Sequence, residues 1–280
     1  MSPTYKLTTS ERCHSHPTIG ESEPLAMSLP LLSTLAVRGL DRLYQALLDV
    51  IFPPRCVSCG QWGVSLCLQC QAAISPVPTP ICERCGRPML GRKVCPICRC
   101  DPPPLSAIRS AAVFEGSLRL AIHHLKYKGQ RSLAQPLGAW MAQAWPETIQ
   151  GGDCLVPVPL HRARERERGY NQARLLAEEL GKRIGLSVVC DAIYRVRATQ
   201  PQVHLDARSR RANVAGAFTA GPASMRGRRP VLIDDVCTTA ATLSACAEVL
   251  WQSGAAQVFA YTLARAVWDP TRPEMLPDRM

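Results

Sequence analysis

Val231-Leu-Ile-Asp-Asp-Val-Cys-Thr-Thr-Ala-Ala-Thr-Leu243 runs an apolar strand into two adjacent carboxylates, Asp234 and Asp235. Small and hydroxylated residues follow, and then a helix. A loop at a helix N-terminus offers free amide donors and the positive end of the helix dipole, which suits a phosphate. Thr238, Thr239 and Thr242 can add hydroxyl donors, and the Asp pair can accept hydrogen bonds from sugar hydroxyls. An ordinary strand-to-helix turn with Asp at the helix start would read the same on these residues alone.

Working outward, apolar spacing predicts helices at Leu118–Leu125, Leu133–Ala144, about Asn171–Ile184 and Thr242–Ser253, the last closed by Gly254. Strands are expected at Leu155–Pro159, Leu186–Val189, Val231–Val236 and Val258–Leu263. Strands alternating with helices imply an α/β domain with a largely parallel sheet, placed at 113–268. In such sheets ligands sit outside the carboxyl ends of strands, where the Asp pair falls. Two basic segments could reach that place. One follows a strand and holds His161, Arg162, Arg164, Arg166 and Arg168; the other, Arg195 to Asn213, holds Arg197, Arg208, Arg210 and Arg211 and reads as a mobile loop. Either could equally be a solvated face, with Glu165 and Glu167 giving local ion pairs.

Upstream the chain changes character. Cys56-x2-Cys59 and Cys67-x2-Cys70 form one set of four cysteines; Cys82-x2-Cys85 and Cys95-x2-Cys98 form a second. Each set supplies four thiolates in two knuckles, the pattern of tetrahedral Zn²⁺, and four protein ligands close a site, so two structural zincs are expected. Gly60 and Gly86 follow the first knuckle of each set, where a positive φ would turn amides toward sulfur. Redox CxxC chemistry is the competing reading, but thioredoxin-like motifs sit singly at a strand–helix junction. The segments around these sets are expected as a polar, disordered extension (1–35), an amphipathic helix (36–54), the double zinc ribbon (55–100), a Pro-rich linker (101–112) and a frayed tail (269–280). Met27 opens the first structured-looking segment and is a candidate start.

The 280 residues are 46% hydrophobic, which permits a sizeable core and excludes a fibrous, collagenous or multi-pass membrane protein. The formal charge of +11 should attract phosphates, nucleic acid or anionic lipid. Eight thiolates less the four charges of two Zn²⁺ lower it to +7. The surplus then lies mainly at 153–229, with fifteen basic and seven acidic side chains. No run approaches the ~20 apolar residues of a membrane span, and no secretory signal is recognisable. A cytoplasmic, reducing location is therefore expected.

Ile233-Asp-Asp-Val-Cys-Thr-Thr-Ala-Ala-Thr242 resembles the phosphoribosyl pyrophosphate (PRPP) loop of type I phosphoribosyltransferases. The eight-cysteine module is followed in order by Leu125-Lys-Tyr-Lys-Gly129, Val156-Pro-Val-Pro159, Arg168-Gly-Tyr-Asn-Gln172 and Arg211-Ala-Asn-Val214. That series resembles the ComF family, GntX-type proteins included, over about residues 40–267. The resemblance implies a double zinc ribbon ahead of a Rossmann-like phosphoribosyltransferase domain, and a link to uptake of transforming DNA. It implies that Asp234 and Asp235, the catalytic candidates, bind the ribose hydroxyls. Thr238, Thr239 and Thr242, with the amides of Cys237, Ala240 and Ala241 in a loop that includes Val236, would hold the 5′-phosphate. His161, Arg162 and Arg168 would meet the pyrophosphate with Mg²⁺, and residues 195–213, with Arg208 and Arg211, would form a flexible hood.

One residue departs from the family pattern. Ala240 stands where Gly is usual; if that position has positive φ, Ala costs ~1 kcal/mol. Tyr170, where many members have Phe, is a milder change. Three functions fit these expectations. The first is a PRPP-binding protein handling single-stranded DNA together with the uptake machinery, with Arg162, Arg164, Arg166 and Arg168 as nucleic-acid contacts. The second is an active phosphoribosyltransferase, in which a nitrogen nucleophile displaces pyrophosphate from C1′. The third is a non-catalytic zinc-ribbon interaction protein. Aromatics are only 5%, so DNA binding would lean on phosphates rather than base stacking and would depend strongly on salt.

Overall fold

The computed structural model describes residues 53–91, 93–198 and 214–266. The expected 1–35 extension, the 36–54 helix apart from Pro53 and Pro54, most of the hood with Arg208 and Arg211, and the 269–280 tail lie outside the described residues.

Each zinc module is a pair of knuckles. Cys67 opens α1 (Leu68–Ala72) and Cys95 opens α2 (Pro96–Cys100), each sulfur accepting the amide of the cysteine three residues on. Gly60 (φ 78°) and Gly86 (φ 68°) take the left-handed conformation expected of them. The chain then forms β1 (Ala107–Val113), α3 (Gly116–Tyr127), α4 (Ala134–Gln143), β2 (Cys154–Pro157), α5 (Arg162–Arg168), α6 (Gln172–Ile184) and β3 (Ser187–Val188). A short hairpin of β4 (Ile193–Arg195) and β5 (Phe218–Ala220) precedes β6 (Pro230–Cys237), α7 (Ala241–Gln252) and β7 (Phe259–Arg265). The main sheet has the order β1-β7-β6-β2-β3 and every pairing is parallel, as the alternation of strands and helices implied.

Strand alternation divides the interior in two. Val231 and Ile233 of β6, with Tyr261 and Leu263 of β7, face Ile122, Leu125, Leu137, Leu176 and Leu180 from α3, α4 and α6. Leu232 and Ala260 face the opposite way, onto Leu243, Cys246, Ala247 and Leu250 of α7 and onto Ile193 and Phe218 of the hairpin. Burial of each such Leu or Ile contributes ~1.5–3 kcal/mol. The ribbons belong to these cores and are not tethered apart from them. Cys56, Leu66, Cys67, Cys70 and Ile74 of the first join the α3–α4–α6 side; Cys82, Cys85, Cys95 and Cys98 of the second join the α7 side.

This arrangement corrects the expected linker at 101–112, because 107–113 is strand β1, an edge strand of the sheet. Its sequence, Ala-Ile-Arg-Ser-Ala-Ala-Val, lacks a β-branched run and carries an internal Arg, so it gave little strand signal. Small side chains are what that edge needs, since both ribbons press against it. The Ile108 amide donates to the Arg84 carbonyl (2.8 Å) and the Val113 amide to that of Ser75 (2.9 Å). Asp101–Pro104 remain as connection, and Trp251 Nε1 pins them by donating to the Pro104 carbonyl (2.8 Å). Among the described residues no helix is long and apolar enough to cross a membrane.

Tyr261 ties α4 to the sheet. Fully buried, its hydroxyl is shared between the carbonyls of Met141 (2.9 Å) and Ala144 (3.0 Å). Tyr261→Phe leaves both buried acceptors short of a donor and should cost about 1–3 kcal/mol, read as a fall in melting temperature of the full chain.

Candidate functional site

Registers Pro157↔Ile233 and Cys237↔Arg265 bring the carboxyl ends of β2, β6 and β7 to one edge of the sheet. Asp234 and Asp235 lie there, next to each other at the end of β6. Asp235 is buried, and its Oδ1 is ion-paired with Lys126 Nζ at 2.8 Å. Asp234 Oδ1 accepts the Asp235 amide at 2.8 Å. Burial, and then the Asp235 charge, push the Asp234 carboxyl up to about 7, although Lys126 and Arg195 pull the other way. Burial also opposes the Lys126 charge, but the carboxylates of Asp235 and Asp234 outweigh it and raise its pKa. At neutral pH one carboxylate is thus neutralised by lysine while the other stands near its midpoint.

The loop that follows makes a left-handed turn before α7. Ala240 is the only described non-glycine residue with positive φ (64°), so the left-handed turn that glycine makes freely is strained here. Its carbonyl accepts the Ser244 amide (2.8 Å), which starts α7 directly behind the loop. Two buried oxygens on this stretch, Asp235 Oδ2 and Thr239 Oγ1, have no hydrogen-bond partner. Buried polar atoms are seldom left so, and these two are open to a further hydrogen-bond partner. Asp234, Asp235, Thr238, Thr239 and Thr242 thus lie close together along the chain, from the end of β6 to the start of α7.

The segment after β2 forms α5, which the sequence reading treated only as a basic run. His161 caps it, Nδ1 accepting the Ala163 amide (3.3 Å). Arg162, Arg164 and Arg166 project into solvent, whereas Arg168 turns inward to bond Gln172 and lie over the Tyr127 ring (5.3 Å). Arg168-Gly-Tyr-Asn-Gln172 is a clamp. Asn171 Nδ2 donates to the Val158 carbonyl (2.9 Å) while its Oδ1 accepts the Ala173 amide (2.9 Å) and so caps α6. The Tyr170 hydroxyl donates to the Leu125 carbonyl, one residue before Lys126. Arg131 covers the Tyr170 ring (4.7 Å) and donates to the Gly169 carbonyl (2.7 Å). The clamp thereby joins the β2 loop to the end of α3 that delivers Lys126.

Three residues that sequence reasoning did not single out matter here. Lys126 sits within the quoted Leu125-Lys-Tyr-Lys-Gly129 motif, but nothing in its spacing announced an Asp235 partner 109 positions away. Arg195 opens the hood segment and comes near Asp234; burial and the charges of Arg164 and Arg197 lower its pKa, against the pull of Cys246 and Asp234. Arg265, at the end of β7, is buried beside the loop.

The eight zinc-ligand candidates assemble as expected. In each set of four the sulfurs lie within 4.8 Å of one another. Amides of Cys67 and Cys95 donate to the sulfurs of Cys56 (3.4 Å) and Cys82 (3.3 Å). Burial opposes ionisation of these two thiols, yet their backbone hydrogen bonds bring both down to about 6. Burial and neighbouring Cys85 instead push Cys98 far up. Four thiols at this spacing ionise together only around a divalent cation, and the donor set fits structural Zn²⁺.

Residues 47–99 match the double zinc ribbon domain family. The DNA utilization protein YhgH of Escherichia coli O157:H7 is 34% identical over 214 residues, spanning 74% of this chain and 92% of the relative. Competence protein F of Haemophilus influenzae is 30% identical over 224 residues, 76% of this chain and 97% of that one. Among solved structures, a hypoxanthine phosphoribosyltransferase of Staphylococcus aureus is 16% identical. It covers 49% of this chain and 64% of that chain, with a TM-score of 0.29.

Two outcomes follow from the loop. Ala240→Gly removes the left-handed penalty of ~1 kcal/mol and should raise the melting temperature of the free protein. For Asp234 the folded pKa, about 7, exceeds the usual carboxylate value, so its contribution to stability is full in acid and lost as pH rises through 7. Melting curves of Asp234→Asn against wild type should therefore show a gain that is largest near about pH 8 and shrinks toward about pH 5.

Proposed function

This chain belongs to the ComF family, in which a double zinc ribbon precedes a phosphoribosyltransferase-type domain, and we propose that it binds PRPP with Mg²⁺ and serves the uptake and use of transforming DNA. The observation that carries the proposal is the loop at the end of β6, which joins the Asp234–Asp235 pair to two partnerless buried oxygens and the N-terminus of α7. Asp234 and Asp235 would accept the ribose 2′- and 3′-hydroxyls. The amides of residues 237–241, with Thr238, Thr239 and Thr242, would hold the 5′-phosphate. Lys126 holds Asp235 in place through their ion pair. His161 and Arg162, after β2, would meet the pyrophosphate.

Mg²⁺, when bound with PRPP, neutralises the pyrophosphate and makes it a better leaving group. The basic rim would steer an anionic strand, which agrees with the DNA-related names of the relatives. Exposed Arg162, Arg164 and Arg166 are its candidate phosphate contacts. Eight thiols committed to zinc suit a reducing compartment, and a cytoplasmic location is part of this reading.

Thermal melting tests the site. PRPP with Mg²⁺ should raise the melting temperature, by an amount equivalent to ~2.7 kcal/mol at about a hundred times Kd, and Asp235→Asn should abolish the shift. No shift at millimolar PRPP defeats the reading. Pyrophosphate release with a panel of amines and nucleobases then separates turnover from binding. Single-stranded DNA affinity should fall steeply with salt, less so once Arg164 and Arg166 are replaced; a flat salt response defeats the nucleic-acid role.

A further inference from the structure

The first knuckle of the second ribbon, Cys82–Cys85, is held by three consecutive carbonyls. Glu83 accepts from Arg109 Nη1 (2.9 Å), Arg84 accepts the Ile108 amide (2.8 Å), and Cys85 accepts from Arg265 Nη1 (2.6 Å). The same Arg265 nitrogen donates to the sulfur of Cys237, which begins the proposed phosphate loop (3.2 Å). Backbone pairing reinforces the link, because the Ala266 amide donates to the Cys237 carbonyl (3.0 Å). One guanidinium, only 3% exposed, thus touches a zinc ligand on one side and the loop on the other. A cavity of about 270 Å³ lies between the two, lined by Cys85 and Arg87 of the ribbon, Thr239 and Ala240 of the loop, and Arg265.

Charge gives this contact its direction. Arg109 and Arg265 are both buried against the second ribbon, and a buried cation is costly unless an anion answers it. A zinc ion in four thiolates carries a net negative charge of two, equal and opposite to the two guanidinium groups. The link itself is geometric: the two guanidinium groups reach consecutive stretches of the same knuckle, at the Glu83 and Cys85 carbonyls. The contact is also close. At Gly86 a Cβ would lie 2.5 Å from the Ile108 carbonyl oxygen, and the left-handed φ of 68° strains any side chain there.

We propose that Arg265 is a positioning residue through which the metal-loaded second ribbon sets the conformation of loop 237–242. The first ribbon, on the opposite face of the sheet, takes no part in this link. The second ribbon is then a wall and a brace of the ligand site. By reciprocity, a ligand that orders the loop tightens the hold on zinc at Cys82, Cys85, Cys95 and Cys98. The consequence for PRPP rests on the function proposed above; the link between ribbon and loop does not.

Amide hydrogen exchange on the full chain tests the link without any ligand. Arg265→Met, with two zinc ions per chain verified, should speed exchange about tenfold in a peptide covering 236–243, while α6 keeps its protection. Should that variant fail to fold, Gly86→Ala pushes the knuckle off β1 with all eight cysteines in place, and should expose the same peptide. Unchanged exchange at 236–243, or a uniform rise across the sheet, overturns the proposal. A PRPP-dependent melting shift in wild type with no local change in exchange would leave the ligand reading standing and this one refuted. The reverse pattern would refute only the ligand.

Discussion

Arg265 at the end of β7 is the contact on which the architecture turns. Its guanidinium cannot be solvated, so the ribbon that surrounds it must supply both a carbonyl and negative charge. The second zinc module is held to β7 by Arg265 and to β1 by the Ile108 amide and Arg109. The first module meets the end of β1 through the bond from the Val113 amide to Ser75, and the start of α3 through the bond from Ser117 Oγ to the Cys70 carbonyl (2.8 Å). An edge strand left bare would offer unpaired backbone groups to any passing strand. Here metal-organised loops take up that role. The ribbons are therefore part of the domain's two cores, and loss of metal should be felt in the sheet.

The site inherits its geometry from these constraints. β6 delivers two carboxylates where solvent is scarce, and the fold resolves their repulsion unequally. Lys126 neutralises Asp235, while Asp234 is pushed toward the proton. Lys126 is in place because Tyr170 fastens the preceding Leu125 carbonyl, and Tyr170 is in place because Asn171 anchors its turn to Val158. Ala240 adds strain to the loop itself. Functional loops commonly hold such strain, since the best local conformation of the chain is not the one that receives a ligand.

Much of this was legible in the sequence. The parallel sheet followed from alternating apolar strands and helices, the paired zinc sites from cysteine spacing, and the left-handed turn at Ala240 from the place of glycine in the PRPP-loop pattern. What stayed hidden depends on contacts distant along the chain. β1 lacks the bulky residues that mark a strand, because its edge must admit two knuckles. Lys126, Arg195 and Arg265 act through partners that periodicity does not reveal. Arg168 read as one more basic residue of a run, yet it turns inward to Gln172 and Tyr127. Charge runs state where arginines are, not which of them the fold consumes.

The central claim is that the β6–α7 loop and its carboxylate pair receive a ribose bearing phosphates at both ends. Phosphorus NMR of PRPP with Mg²⁺, titrated with the zinc-loaded full chain, addresses it most directly. The account predicts that the 5′-phosphate and pyrophosphate resonances both shift or broaden and reach their limit near one ligand per chain. Resonances left unmoved at equimolar protein, or a change confined to the pyrophosphate end, would contradict it.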